Sequence, residues 1–235
     1  MALKTYDLRF PKYCSHLLVG PSASGKTFRV AEILRCKNEL LVDGSQIQNV
    51  VFFYAQWQDI YSQLRDEGVV TKWVNSFPTV EEFQALAKPF VNKGGSICIF
   101  DDFESEIGPS LGQIVRVTAR HMQTSIFILH QSLFPPQKFA RQISLNVRFI
   151  HLAKSPRENA QVRFLARQMS PDDWRWICEA FTHVTEQPFR YLLLDLTQEC
   201  SNLLRVRSHY LPSEAPLKIY VKKGKASLLA SNEGV

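Results

Sequence analysis

The chain alternates short apolar runs with stretches in which apolar residues recur every three or four positions, and that alternation predicts an α/β fold. "SHLLV" (15–19) is the first expected strand. It runs into a turn rich in Gly and Ser and then a helix over about 26–36, with Val30, Ile33 and Leu34 on one face. "NVVFFY" (49–54) is a second strand. "WQDIYSQLRDEG" (57–68) reads as a short helix closed by Gly68, and "TVEEFQALAKPF" (79–90) opens with a capping box in which Thr79 faces Glu82. "SICIF" (96–100), "TSIFIL" (124–129) and "VRFIHL" (147–152) are further strands. A helix over roughly 109–121 joins the first two, and a short basic helix starting at Pro135 and Pro136 precedes the third. Ser155, Pro156 and Glu158 supply a cap, a first-turn proline and a carboxylate, as do Ser170, Pro171 and Asp173, so each set predicts a helix start. "YLLLDL" (191–196) and "NLLRVR" (202–207) make an expected terminal strand pair, and after Leu211 the prolines and "KKGK" predict a tail with at most one edge strand. Residues 1–210 are therefore expected to form one domain around a mainly parallel sheet with helices on both faces, and 211–235 a tail.

Composition narrows this picture. At 235 residues and 45% apolar content, one sizeable core can be filled. No cationic leader precedes an apolar stretch and no apolar run reaches the roughly 18 residues that span a bilayer, which predicts a soluble intracellular protein. The five cysteines show neither CxxC spacing nor a paired His cluster, so reduced and mostly buried thiols are expected. The net charge of +6 is unevenly placed: residues 111–170 hold nine Lys or Arg against Glu158 alone, a balance of +8 that leaves −2 for the remainder. Such a segment suits an anionic partner, although a solvated basic face has the same composition.

The chemistry concentrates in "GPSASGKT", which fits G-x-x-x-x-G-K-[ST] and sits after an apolar strand and before a helix, as a phosphate-binding loop requires. Gly20 and Gly25 permit a tight path and close backbone approach. Pro21 shapes the turn, Ser22, Ala23 and Ser24 bring backbone N–H groups to the phosphates, Lys26 reaches the β- and γ-oxygens of ATP, Thr27 holds Mg2+, and Phe28 continues the contact surface. A second carboxylate for the metal is expected at the end of a buried strand, and "SICIFDD" offers Asp101 there. Asp102 beside it is a candidate base for the attacking water, with Glu104 its rival. The guanine-reading N-K-x-D pattern is lacking: "NKGG" (92–95) has no aspartate and precedes the metal-binding strand. No LSGGQ-like stretch of ABC-type ATPases is present either.

Across about 17–207 the sequence resembles the FtsK/HerA division of phosphate-loop ATPases, and within it the small viral genome-packaging ATPases of Polinton/Maverick elements, adintoviruses, virophages and poxvirus-like large DNA viruses. "GPSASGKT", "ICIFDD" and "ARHMQTSIFILHQSLFP" carry the likeness, with "FFYAQWQDIY" and "YLLLDL" less specific. The resemblance implies a three-layer P-loop NTPase sandwich with an ASCE/RecA-like core. It implies an ATPase that drives double-stranded DNA into a capsid as a homo-oligomeric ring of five or six copies, working with a capsid or portal-vertex protein inside the infected cell, in nucleus or cytoplasm, and with the virion. It makes Gln131 the sensor of the γ-phosphate and Arg120, eleven residues earlier, the arginine supplied to a neighbouring subunit's ATP, with Arg116, Arg141 and Arg148 as competitors. Asp102 departs from the glutamate usual in FtsK and HerA, while the viral members often share the Asp-Asp form.

Two other readings stay open at this point. A nucleoside or nucleotide kinase has a compatible length and phosphate loop, and an ATP-binding DNA clamp with poor hydrolysis would use the same loop. The run from Lys138 to Arg167 suits a DNA channel or a neighbour's nucleotide equally. Trp57, Trp73, Trp174 and Trp176 sit in patterns that packing explains, and His121, His130 and His151 lack metal-ligand spacing.

Overall fold

Strands that are apolar on both faces must be covered on both, and the centre of this sheet is built that way. The computed structural model describes residues 6–103, 109–135, 143 and 145–225. Among them nine strands form one sheet: β1 (Ser15–Val19), β2 (Asn49–Tyr54), β3 (Lys72–Val74), β4 (Ser96–Asp101), β5 (Thr124–His130), β6 (Phe149–Leu152), β7 (Leu192–Asp195), β8 (Val206–Ser208) and β9 (Lys218–Tyr220). Their spatial order is β3-β2-β4-β5-β1-β6-β7-β8-β9, parallel from β3 to β6 and antiparallel from β6 onward.

Successive side chains go to opposite faces. Leu17, Val51, Cys98, Ile126 and Ile150 pack on one face under α4 (Val80–Ala87), α5 (Pro109–Gln113), α7 (Asn159–Met169) and α8 (Arg175–Thr185). Leu18, Phe52, Ile99, Phe127 and Phe149 pack on the other, under α1 (Lys26–Arg35) and α3 (Asp59–Asp66). Each fully buried Leu, Ile or Phe contributes about 1.5–3 kcal/mol, so these two layers supply most of the driving force.

The register decides what lies at the upper edge. In β5, Leu129 is level with Leu18 of β1 and with Asp101 of β4, so the chain leaves all three strands at the same height. The loop after β1, the carboxylate at the tip of β4 and the residues after β5 are thereby adjacent.

A polar seam docks the C-terminal segment on the α1 face. Cys14 Sγ shares a hydrogen bond with His16 Nε2 (3.0 Å), His16 Nδ1 with His151 Nε2 (3.1 Å) and His151 Nδ1 with Tyr210 Oη (2.7 Å), all buried. Burial pushes His16 down to about 3 and His151 well below the usual imidazole range, so both rings stay neutral. Nearby, Arg29 and Glu214 form a buried ion pair at 2.8 Å. Cys14 and Cys98 are buried, whereas Cys36, Cys178 and Cys200 are half-buried, so the expectation of mostly buried thiols is corrected.

Several boundaries differ from the sequence pattern. The serine-proline signals do not cap helices: Ser155 and Ser170 accept backbone bonds from Glu158 and Asp173 (3.2 Å each), closing turns, and α7 and α8 begin only at Asn159 and Arg175. Proline fits the second position of such a turn as well as it fits a first helical turn, which is why the signal misplaces the start. The helix expected over 109–121 passes through a π-helical turn (Ile114–Thr118) before α6 (Ala119–His121). "NLLRVR" yields a strand only from Val206, because Leu204 N–H closes a turn onto Ser201. The three-residue edge strand β3 has no counterpart in the pattern analysis, and the Pro135–Pro136 helix falls largely outside the described residues. Beyond Leu211, Lys218–Tyr220 joins the sheet as β9.

The Thr79 box is formed in full, Glu82 N–H donating to Thr79 Oγ1 (3.2 Å) and Thr79 N–H to Glu82 Oε2 (2.8 Å). Thr79→Ala is expected to lower the unfolding free energy by about 1 kcal/mol in a urea titration, with Thr79→Ser close to the parent.

Candidate nucleotide-binding site

The glycine-rich turn between β1 and α1 has the shape of a phosphate cradle. Gly25 sits at φ 86° and Ala23 at φ 61°, left-handed conformations that turn the loop tightly. A β-carbon on Gly20 would come within 2.6 Å of Ser24 Oγ and 2.7 Å of Ala153 Cβ, so only glycine fits there. Gly20 N–H donates to the His130 carbonyl (3.2 Å), tying the loop to the end of β5. Lys26, 8% exposed, spans the loop and donates from Nζ to the carbonyls of Gly20 (2.7 Å) and Pro21 (3.1 Å). Ser24 Oγ is buried and has no hydrogen-bond partner among the described residues, which suits a loop that takes an external acceptor.

Asp101 comes to this loop from two strands away. Thr27 Oγ1 donates to its Oδ2 at 2.8 Å, and Tyr61 Oη donates to the same oxygen at 2.8 Å. The carboxylate is 1% exposed, and burial raises its pKa to about 6 even though Tyr61, Thr27 and the nearby Lys26 charge all pull the other way. A buried acid beside the Thr27 hydroxyl is a ligand pair for a hard cation that keeps part of its shell for phosphate and water. Among the described residues no group of three His, Cys, Asp or Glu side chains is placed to hold a metal by itself.

Asp102 turns the other way. Its φ of 62° rotates it out of the strand, leaving it exposed, and Gln58 Nε2 donates to its Oδ2 at 3.0 Å. Gln131 is exposed at the end of β5, between the loop strand and the Asp101 strand. His130 before it is buried, with Nδ1 hydrogen-bonded to the backbone of Ser132 (2.8 and 3.1 Å). Lys26, Thr27, Asp101, Asp102 and Gln131 thus share one edge of the sheet.

Arg120 is not among them. It lies in α6, just before β5, and lines a cavity of about 380 Å³ with Lys12, Arg116 and Arg148 at the opposite ends of the strands. The basic segment is therefore not one surface: those arginines face one end of the sheet, while Lys154 and Arg157 follow β6 at the loop end. Arg167 stacks its guanidinium on Trp174 (4.6 Å). Glu104, Lys138 and Arg141 lie outside the described residues.

Sequence reasoning missed Tyr61, Gln58 and Tyr191, whose hydroxyl donates to the Ser24 carbonyl at 3.1 Å. Tyr61 and Gln58 belong to the segment after β2, the strand neighbouring β4, and strand adjacency was the one signal able to find them. Trp57, expected in the core, is a partly exposed member of an aromatic cluster with Tyr54, Tyr61 and Trp73.

No family model matches the chain, and no curated protein does. Similar solved structures include the genome-packaging NTPase B204 from Sulfolobus turreted icosahedral virus 2 in complex with sulfate (TM-score 0.52, 15% identity, covering 88% of this chain and 96% of that one). The same NTPase in complex with AMPPCP gives a TM-score of 0.51 at 14% identity, covering 88% and 97%. B204, the DNA-packaging ATPase from Sulfolobus turreted icosahedral virus, gives 0.50 at 14% identity, covering 89% and 97%. At such identities the likeness establishes the fold, that of the P-loop NTPases, a mostly parallel sheet flanked by helices.

The Asp101 environment has a measurable signature. Its folded pKa stands above the ordinary 3.8, so its contribution to stability is complete below about pH 4 and is lost as pH rises through about 6. Without divalent cation, Asp101→Asn is expected to be more stable than the parent at pH 8 by on the order of 2–3 kcal/mol, a gap that closes by pH 4. Urea titrations at both pH values measure it.

Proposed function

We propose that this protein is the ATPase subunit of a viral genome-packaging motor, hydrolysing ATP to drive double-stranded DNA into a preformed capsid. The observation that carries the reading is the 2.8 Å hydrogen bond from Thr27, at the head of the loop helix, to the buried Asp101. It joins a lysine-bearing phosphate cradle to a carboxylate on a separate strand, the pairing that nucleoside-triphosphate hydrolysis needs. That similar folds include B204, the DNA-packaging ATPase, supports packaging over other uses of such a site.

In this reading the loop amides and Ser24 grip the β-phosphate and Lys26 neutralises the β- and γ-oxygens. Magnesium, held by Thr27 and Asp101, would when bound neutralise charge on the transferred phosphoryl. Asp102, steadied by Gln58, takes the proton of the attacking water, and Gln131 orients that water through an amide that adds no charge. Glu104 remains the rival base. Tyr61 positions Asp101 through its hydroxyl.

Arg120 stands too far from its own loop to serve it, which supports action on the ATP of a neighbouring copy in a ring of five or six, with Arg116, Arg141 and Arg148 as competitors. This is the FtsK/HerA-type arrangement. The ring would work on duplex DNA and on a capsid or portal-vertex protein within the infected cell. Among the described residues no helix is long and apolar enough to cross a membrane.

ATP turnover measured over a range of protein concentrations, with and without long duplex DNA, tests the proposal. Specific activity is expected to rise with concentration and with DNA. Lys26→Ala should abolish it, and Arg120→Ala should keep nucleotide binding while losing hydrolysis by about 10³-fold or more. Normal hydrolysis by assembled Arg120→Ala protein would remove Arg120 from the role, and phosphoryl transfer to a nucleoside with no response to DNA would replace the motor by a kinase.

A further inference from the structure

Beside the phosphate loop, on the side away from Asp101, lies a cavity of about 570 Å³ that no step above uses. It begins at Gly25 and runs between Phe28, on the outer face of α1, and the Pro188–Phe189 turn that leads into β7. Its size is that of a small-molecule pocket. Both phenylalanines are unusually exposed for their type, Phe28 at 57% and Phe189 at 65%, and both line this one cavity.

Phe189 is held there against its own backbone preference. Its φ is 62°, a conformation that costs a bulky residue energy unless its surroundings impose it. The surroundings do. Antiparallel pairing of Leu192 with Leu152 brings the start of β7 to the loop end of the sheet. Tyr191 Oη donates to Ser24 O, Arg29 Nη2 donates to the Phe189 carbonyl (2.8 Å), and a β-carbon on Gly25 would stand 3.2 Å from Phe189 Cδ1. The aromatic ring is thus fixed directly against the phosphate loop.

We infer that this cavity is the nucleobase subsite, and that it takes a purine by stacking on Phe28 and Phe189. The inference rests on the ATP reading above and adds how the base is recognised. The charged groups in the wall are already engaged with one another: Glu214 pairs with Arg29 (2.8 Å) and Arg190 (2.7 Å), and Glu32 with Arg35 (2.6 Å). Arg29 is 5% exposed and its Nη1 lies beneath the surface, so it presents no free donor to a base in the cavity. A site that stacks without a dedicated hydrogen-bond pattern discriminates weakly between adenine and guanine and favours the larger purine faces over pyrimidines.

The test compares magnesium complexes of ATP, GTP, CTP and inorganic tripolyphosphate by isothermal titration calorimetry on the full chain. Parent protein is expected to bind ATP and GTP within about threefold of each other and CTP more weakly, since each stacked base is worth roughly a tenfold or greater gain in affinity. Phe28→Ala and Phe189→Ala should each weaken ATP about tenfold and leave tripolyphosphate unchanged, while Phe28→Tyr keeps ATP affinity. Phe28→Ala lies on an exposed helical position where Ala is the better helix former, so folding does not confound it. Unchanged ATP affinity in both Ala variants, with tripolyphosphate still bound, overturns the subsite and spares the phosphate site. A hundredfold preference for ATP over GTP overturns recognition by stacking. Failure of the parent to bind ATP or tripolyphosphate overturns the ATP reading itself.

Discussion

A carboxylate taken out of water is tolerable only where donors and positive charge meet it, and Asp101 is the group on which this structure turns. Two hydroxyls and a neighbouring ammonium meet it, yet its pKa still rises to about 6. The protein alone therefore leaves the negative charge under-compensated. In the proposed function its counterpart would be a cation arriving with a polyphosphate, so the same desolvation that weakens the fold would sharpen the demand for that ligand.

The rest of the sheet can be understood as the frame that makes this contact possible. β4 does not neighbour β1; β5 lies between them, and only a register that ends all three strands at one level lets Thr27 reach across to Asp101. β5 then delivers Gln131 to the same edge with no added loop. On the far side, the antiparallel strands from β7 onward return the chain toward the loop, where Tyr191, Arg29 and Glu214 fasten it. One flank of the phosphate loop thus carries charge chemistry and the other presents aromatic faces.

How much of this was legible in the sequence follows from the range of each interaction. The loop, its flanking strand and helix, the Asp101 strand and the Thr79 box depend on residues a few positions apart, and pattern finds them. Gln131 could be placed at the edge because its strand lay where the family resemblance put it. Tyr61, Gln58, Tyr191 and Phe189 were not legible, since their partners lie 40, 44, 167 and 160 positions away. Helix starts after Ser155 and Ser170 were misplaced because serine and proline serve turns and first helical turns alike. The π-helical turn before Arg120 leaves no mark in the apolar spacing at all.

The separation of Arg120 from Lys26 constrains any assembly. β5 has seven residues, so the two edges stand roughly 20 Å apart at about 3.3 Å per residue. One copy cannot fold its arginine end onto its own phosphate loop without dismantling the sheet. In the proposed motor, the arginine edge of one copy must meet the catalytic edge of the next, which uses two different surfaces of each chain. A two-fold dimer pairs the same patch with itself; this contact is heterologous, and repeated it makes a ring where the rotation closes and an open filament where it does not. Hydrolysis would then report on assembly, because the last charge needed at the phosphoryl group arrives only when a neighbour does.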